Sequence, residues 1–352
     1  MKTLNYFISI FLICQSLGVI NAQLSTNELP FSFNRENSSL LKQKNVVKSY
    51  EIELPKTLKQ LDAEDSIADK NNLLPRIGYP IPVNFDMTNA GTWTTLENGD
   101  KLWQMEISSP GAFAINLTYD KFWLPDDTKL FIYSKDKTQH LGAFTSINNK
   151  GDSINLRGFV TDFIYSDKIV VEYYQPAKVT QIAIISIDQI VYAYKDINVS
   201  VSSRFIEQST GFGQSGSCEV GINCPEGSNW QEEKRAVALI IANGRYASTG
   251  SLINNTKGDM QPLLLTADHC IELGSQDGGE YIKYDAVTNP YLDQYLFYWD
   301  YELLGCKPVN PSEPAKRSTA GATVLANNSY TDFALLSLSE NPKNLSILML
   351  II

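Results

Sequence analysis

Residues 262–270 read Pro-Leu-Leu-Leu-Thr-Ala-Asp-His-Cys, an apolar strand that runs into a turn of small residues. The turn presents His269 with Cys270 directly beside it, and the only other histidine is the isolated His140. A general base must be held rigidly, and a strand end fixed by a disulfide at the next residue is a suitable mount. His269 is therefore the candidate general base, and the alternative is a buried structural histidine.

A carboxylate that could partner this histidine is Asp332, in the stretch Thr331-Asp332-Phe333-Ala334-Leu335-Leu336. An acid immediately before a buried strand must be paired or hydrogen-bonded, because burying an unpaired charge is costly. A hydrogen bond from Nδ1–H of His269 to Asp332 would fix the ring tautomer and stabilise the protonated ring. Taken alone, an aspartate in this position is more often a turn residue. Together, the two residues predict a base and its orienting acid.

Short segments of aromatic and β-branched residues dominate the chain on both sides of residue 200. Several alternate with period two and are separated by turn signals such as Asn98-Gly99-Asp100, which is typical of antiparallel strands. We predict a mainly β protein with a jelly-roll-like β-sandwich over residues 73–195. The predicted strands are 102–107, 112–119, 129–133 and 169–174 in this region, and 236–241, 250–253, 262–266, 295–299 and 333–338 beyond it.

The remaining segments lack a sustained apolar period or carry a targeting pattern. Residues 23–72 predict a flexible polar lead-in with a short helix around 56–70, and residues 196–212 predict a linker open to processing. Residues 1–22 combine Lys2, an apolar run and a small residue before Gln23, as in a secretory signal peptide. The run is shorter than the ~20 residues that a transmembrane helix needs. We therefore expect a secreted protein without a membrane span.

Composition narrows the classes of function. The chain has 352 residues, with 29 Lys and Arg against 39 Asp and Glu, a net charge of −10. This charge repels phosphate backbones and excludes nucleic-acid binding as the main activity. Four cysteines follow residue 217, namely Cys218, Cys224, Cys270 and Cys306, and export favours disulfides among them. Because no CxxC pair is present, a zinc ribbon is not supported, and we expect neither a metal nor a cofactor.

Several blocks together resemble the trypsin-like serine peptidases, and specifically the secreted bacterial lysyl endopeptidase family. The blocks are 213–220 with 224–227, 249–256, 265–270, 297–301 leading to Cys306, and 321–336, and they cover residues 213–338. The region 73–193 resembles the β-rich propeptide of these enzymes. The resemblance implies that residues 213–352 form the first barrel of a trypsin-like double-barrel domain. It implies His269 as general base, Asp332 as its partner and a disulfide between Cys224 and Cys306.

The sequence also departs from the family pattern. The family's nucleophilic serine lies in the second barrel, in a Gly-x-Ser-Gly turn, and no glycine follows Gly321 in this sequence. We expect a frameshift or premature stop before the catalytic serine, and a chain that is inactive alone. The resemblance leaves Cys218 and Cys270 without their usual partners, because the position expected to pair with Cys270 is Ser248. A bridge between these two cysteines is an open alternative.

Two functions are compatible with these features. The leading hypothesis is a secreted serine endopeptidase, made as a zymogen, that hydrolyses protein or peptide substrates without a cofactor. A preference for lysine is implied by the resemblance alone. The alternative is a non-enzymatic secreted or surface protein whose sandwich binds a glycan or a protein through Trp93, Trp103 and Trp123, with a decayed peptidase half. Aromatic residues in β-sandwiches usually pack in the core, which favours the peptidase.

Overall fold

A computed structural model describes residues 25–26, 28–34, 37, 46–71, 73–195, 219–272, 289, 291–303, 305–306 and 317–342. The predicted signal segment 1–22 and linker 196–212 lie outside these residues. The described part is mainly β, as the sequence predicts. We refer to residues 46–195 as the N-terminal unit and to the described residues of 219–342 as the C-terminal unit.

The N-terminal unit contains one α-helix and ten strands. They are β1 (Ser49–Glu51), α1 (Leu58–Lys70), β2 (Gly78–Asp86), β3 (Thr92–Thr95), β4 (Lys101–Ser108), β5 (Ala114–Trp123), β6 (Lys129–Ser134), β7 (His140–Phe144), β8 (Arg157–Val160), β9 (Lys168–Gln175) and β10 (Ile184–Ala193). One sheet has the order β1-β4-β9-β6-β7, with β3 also paired to β4, and the other has the order β2-β10-β5-β8. All pairs are antiparallel except β1 with β4.

The two sheets of the N-terminal unit share one hydrophobic core. Met105 and Val171 come from the first sheet, and Leu117 and Ile190 come from the second, and all four are fully buried. This arrangement follows from the alternating pattern, because successive side chains of a strand point to opposite faces. Every such buried side chain contributes roughly 1.5–3 kcal/mol to the transfer free energy from water.

Part of the segment predicted as a flexible lead-in instead forms regular structure. Helix α1 begins after Thr57, whose side chain accepts from the backbone N–H of Gln60 while the Gln60 side chain accepts from Thr57, a reciprocal capping box. Leu61 of this helix is fully buried in the core of the N-terminal unit. The helix expected around 56–70 is therefore present and packs against the sheets.

The C-terminal unit contains seven strands and several short 3-10 turns. The strands are β11 (Val237–Ala242), β12 (Tyr246–Ile253), β13 (Leu263–Thr266), β14 (Leu296–Trp299), β15 (Arg317–Ala320), β16 (Ala322–Asn328) and β17 (Phe333–Leu338). Their hydrogen-bonded order is β15-β14-β11-β12-β13-β17-β16, and all pairs are antiparallel. The 3-10 turns are Pro225–Trp230, Glu233–Ala236, Asp268–Cys270 and Leu292–Gln294; two further turns, Phe31–Phe33 and Ser146–Asn148, precede this unit.

The sheet of the C-terminal unit curves around its own core. The two strands at the opposite ends of the sheet order, β15 and β16, are consecutive in the chain with only Gly321 between them. The two edges of the sheet therefore meet at this residue. Gly321 has φ +83°, a backbone conformation that favours glycine, which lets the chain turn sharply at this corner. Buried side chains from five strands meet inside: Ile240, Leu252, Leu264, Phe297 and Leu336.

Candidate active site

His269 lies in a short turn that is held from two sides. Strand β13 ends at Thr266, and the 3-10 turn Asp268–Cys270 follows. On one side the hydroxyl of Tyr295 donates to the backbone oxygen of Cys270 at 3.2 Å. On the other side Asn327 Nδ2 donates to Oδ1 of the buried Asp268 at 2.7 Å. These contacts fix the backbone that carries the imidazole.

Asp332 reaches the histidine from the loop between β16 and β17. Asn328 Oδ1 accepts from the backbone N–H groups of Tyr330 and Thr331 at 3.0 and 2.9 Å, and this turn shapes the approach to Asp332. Asp332 itself has φ +53°, an uncommon conformation for a non-glycine residue that costs energy and is often found at functional sites.

The structure brings His269 and Asp332 into direct contact. The ring Nδ1 lies 2.8 Å from Oδ2 and 3.0 Å from Oδ1 of Asp332, and the backbone N–H of His269 donates to Oδ1 at 3.1 Å. With an ionised carboxylate as acceptor, Nδ1 carries the proton, and Nε2 is the nitrogen with a free lone pair. A ring oriented in this way can take up a proton at Nε2.

The pair is accessible rather than enclosed. The side chains of His269 and Asp332 are 56% and 49% exposed. The backbone N–H of His269 lowers the pKa of Asp332, against a smaller opposing effect of burial, and the His269 side chain lowers it further. The carboxylate therefore stays ionised throughout the neutral range. The alternative of a histidine buried in the hydrophobic core does not describe this residue.

Comparison with known proteins agrees with the resemblance found in the sequence. Residues 212–349 match the family described as lysyl endopeptidase, C-terminal domain. The chain is also 27% identical over 292 residues to the lysyl endopeptidase of Pseudomonas aeruginosa, an alignment that covers 77% of this chain. This chain is therefore similar to the lysyl endopeptidases, most specifically over residues 212–349. It spans 58% of the length of that relative, so the relative's activity and substrates are matters for proposal here.

The structure tests the cysteine arrangement implied by the family. Cys224 and Cys306 form a disulfide, which is the implied pair. Cys270 is a free, buried thiol, so the alternative bridge from Cys218 to Cys270 is not formed. Cys218 itself lies outside the described residues. Burial raises the pKa of Cys270, against smaller effects of the Ser248 and Thr266 hydroxyls.

Ser248 occupies the position opposite this free thiol. Its Oγ is buried and lies close enough to the Cys270 thiol to lower the pKa of that thiol. The serine thus stands where the family pattern places the partner cysteine. The thiol is shielded, so we expect it to react with thiol reagents only slowly in the folded protein. In a titration of the folded chain with a thiol reagent, Cys270 should therefore not react in the rapid phase.

Sequence reasoning did not identify several residues that position the pair. Asp268, Tyr295, Asn327 and Asn328 hold the two turns through the hydrogen bonds given above. The Asn-Asn pair shortly before Asp332 is a turn signal that could have indicated the loop. The contacts of Tyr295 and Asn327 join segments 25 and 59 positions apart, which no local pattern predicts.

The described residues offer little support for a metal site, a membrane span or a binding sandwich. No group of three or more His, Cys, Asp or Glu side chains with metal-binding geometry occurs among the described residues. Of the helices within the described ranges, none has the length and hydrophobicity needed to cross a bilayer. Of the tryptophans considered for binding, Trp103 is fully buried and Trp123 is half-buried, while Trp93 is exposed. A single exposed ring gives the sandwich-binding hypothesis little support.

Proposed function

We propose that this chain carries the general base and the orienting acid of a secreted serine endopeptidase. The observation that supports this is the 2.8 Å contact between Nδ1 of His269 and Asp332 on an exposed ring. In acyl transfer, Nε2 accepts the proton of a serine hydroxyl as it attacks the scissile carbonyl, and then returns that proton to the leaving amine. Asp332 remains ionised and stabilises the imidazolium that forms between these steps.

The nucleophilic serine and the oxyanion hole would come from a second barrel that packs against this face. Three exposed apolar side chains lie near the pair in sequence: Leu265 on β13, Tyr330 in the loop before Asp332 and Phe333 at the start of β17. A second barrel packed on this face would cover such exposed apolar side chains. We therefore assign the second barrel as the intramolecular partner of this surface.

Export and maturation complete the proposal. Residues 1–22 would direct secretion, the N-terminal unit would be the propeptide of a zymogen, and cleavage within 196–212 would create a new N-terminus near Gly213. Substrates would be proteins or peptides, with a preference for lysine suggested by the family alone. N-terminal sequencing of the mature protein tests the boundary; a mature protein that keeps 196–212 intact would contradict it.

The catalytic assignment is tested with a serine-reactive fluorophosphonate probe. We expect no stoichiometric labelling of the 352-residue chain, and labelling together with peptide hydrolysis when a second lysyl endopeptidase barrel with its Gly-x-Ser-Gly turn is appended. In the completed enzyme, Asp332→Asn should lower kcat by about 10⁴-fold and His269→Ala by at least as much. The matched control His140→Ala should retain activity. Labelling of the 352-residue chain, or hydrolysis that survives His269→Ala, would refute the assignment.

A further inference from the structure

The two units are joined by a continuous apolar contact. Backbone hydrogen bonds link them at Ile77 N to Arg245 O (2.7 Å) and at Ala247 N to Pro75 O (3.0 Å). A shared hydrophobic cluster contains, from the N-terminal unit, Ile77, Ala114, Val160, Phe163, Val191 and Ala193, and, from the C-terminal unit, Ile241, Leu296, Tyr298 and Ala320. Apolar burial of this kind does not depend on pH. It therefore contributes a constant part of the free energy with which the two units associate, called docking below.

Charged groups enclosed at the same interface add a part that does depend on pH. Lys150 of the N-terminal unit extends to the Gly321 corner of the C-terminal unit, where a Cβ on Gly321 would clash with its Nζ. Lys150 as a residue is partly exposed, but its ammonium group is enclosed and donates to the backbone oxygen of Asp293. Opposite it, the buried Glu340 accepts from the backbone N–H of Ala320 at 2.8 Å.

A second acid, which is only partly exposed, crosses the interface in the other direction. Asp188 of the N-terminal unit accepts from Thr118 Oγ1 at 2.8 Å and from Gln294 Nε2 of the C-terminal unit at 3.2 Å. Nearby, Arg157 pairs with Asp293 through two hydrogen bonds of 2.6 and 3.0 Å. That pair is matched in charge, whereas Asp188 has no cation among its interacting groups.

We propose that the interface between the two units is a proton-controlled latch, formed by Glu340 and Asp188 with Lys150 as the opposing cation. Separation of the units would return all three groups to water, so each changes its environment when the latch opens. The apolar cluster holds the units together, and the protonation of these groups decides how strongly.

The direction of the pH effect follows from burial. Burial raises the pKa of Glu340 to about 7, against the opposing effects of Lys150, the Ala320 N–H and Asn148. Burial also raises the pKa of Asp188, with a smaller contribution from Asp120, against Thr118 and Gln294. An acid with a raised pKa binds its proton more tightly in the docked state, so docking strengthens as the pH falls below about 7.

Lys150 acts in the opposite pH range. Burial lowers its pKa to about 8, and Arg157 lowers it further, while Asp293 and Glu340 raise it. A base with a lowered pKa loses its proton on docking, so this group favours the docked state only as the pH rises above about 8. The latch is therefore weakest between about pH 7 and 8, where both Glu340 and Lys150 are charged, and it is stronger near pH 5.5.

Urea unfolding of the full chain tests the role of Glu340. Glu340→Gln mimics the protonated acid, so its midpoint should exceed that of the wild type, and by more at pH 8 than at pH 5.5. The exposed Glu97→Gln is the matched control and should track the wild type at both pH values. Two outcomes would overturn the proposal. The difference in urea midpoint between Glu340→Gln and the wild type could be the same at both pH values, or it could be smaller at pH 8 than at pH 5.5.

Two further measurements keep the test decisive if Glu340→Gln does not fold. Lys150→Met removes the cation that opposes the Glu340 charge, so the loss of stability with rising pH should move to a higher pH. An unchanged pH dependence would count against the latch.

The second measurement uses a full chain with a site-specific protease sequence within 196–212, which can be cut after folding. Sedimentation should show that its two pieces separate at a lower urea concentration at pH 8 than at pH 5.5. Separation at equal concentrations, or in the reverse order, would refute the proposal.

Discussion

At the scale of single residues, the titration of Asp332 reports on the candidate base directly. Its pKa is lowered from 3.8, and the largest favourable cause is the backbone N–H of His269 rather than the ring. We predict a carbon-13 NMR midpoint for the Asp332 carboxyl below 3.8. In His269→Ala the midpoint should rise only part of the way to 3.8, because the backbone donor remains. A midpoint unchanged by this substitution would show that the ring does not contact the acid in solution.

The sign of the associated stability effect is fixed by the same contact. A lowered pKa means that the pair contributes stability above 3.8 and loses it as the pH falls through the folded-state value. Because both side chains are about half exposed, solvent screens the interaction and its contribution is small. The 2.8 Å contact thus serves orientation of the ring more than stability.

A second prediction at this scale concerns the free thiol beside the base. Because Ser248 faces Cys270, Ser248→Cys should form a disulfide, and closing a loop of this length stabilises the fold by about 3 kcal/mol in the chain-entropy model. Loss of the Cys270 thiol in denatured, non-reduced protein and a higher melting temperature are the measurements. The matched control is Ser251→Cys, which lies three positions along β12 and so points to the opposite face. A thiol that stays free in Ser248→Cys would contradict the geometry.

The residues of the pair illustrate what a sequence can predict at this scale. The motif around His269 and the acid before a buried strand predicted both members of the pair, and the structure brings them together. Their supports could not be predicted, because Asn327 and Tyr295 contact the His269 turn only through the folded sheet. Local chemistry indicates which side chain can react, but tertiary packing determines what holds it.

At the scale of elements, period-two alternation predicted strands well where it was regular. Predicted 102–107, 129–133 and 169–174 lie within β4, β6 and β9, and 333–338 coincides with β17. The segment predicted as 112–119 begins two residues later and extends to Trp123. Regular alternation identifies a strand because one of its faces is buried; strand ends depend on neighbours that the pattern does not contain.

Six strands of the N-terminal unit were not predicted, namely β1, β2, β3, β7, β8 and β10, and the reason can be identified for two of them. Strand β2 contains Pro80 and Pro82, which cannot donate to a ladder, and it lies at the edge of its sheet, where prolines are tolerated. Strand β10 carries Asp188 in its middle, and the pairing register with both neighbours shifts there. The same aspartate that obscures the strand contributes to the interface, since a bulge directs its side chain toward Gln294.

The Gly321 corner provides the prediction at this scale. Gly321→Ala introduces a Cβ at positive φ and also drives it against Lys150, whereas Gly258→Ala has positive φ but no atom within 4 Å. We expect Gly258→Ala to cost about 1 kcal/mol of unfolding free energy and Gly321→Ala about 1 kcal/mol more. Urea unfolding measures both. In a Lys150→Ala background the extra cost should disappear; an equal extra cost there would mean that the lysine does not occupy this corner.

At the scale of the whole molecule, the sequence predicted two units but not their contact. The boundary followed from the polar stretch near residue 200 and the restriction of cysteines to the region beyond it. The interface depends on pairs such as Lys150 with Asp293, which are 143 positions apart. Neither residue belongs to a sequence motif, and a lysine next to a turn is ordinarily predicted to be a surface residue. Only the packing of the units encloses its ammonium group.

The disulfide between Cys224 and Cys306 gives the last prediction, because it ties the start of the C-terminal unit to the segment after β14. The two cysteines are 82 positions apart, and a loop of that length restricts the unfolded chain strongly, with an expected contribution of about 4 kcal/mol. The double variant Cys224→Ser, Cys306→Ser should therefore have a melting temperature several degrees lower than the wild type. Reductant should lower the melting temperature of the wild type in the same way but not that of the double variant.

Cys270→Ser is the control, since its thiol is unpaired and reductant leaves it unchanged. His269 lies within the loop that the bridge closes, but neither it nor Asp332 is next to either cysteine, so the Asp332 titration should be preserved in the double variant as long as it folds. A shifted titration at full folding would mean that the bridge shapes the candidate site as well as stabilising the unit.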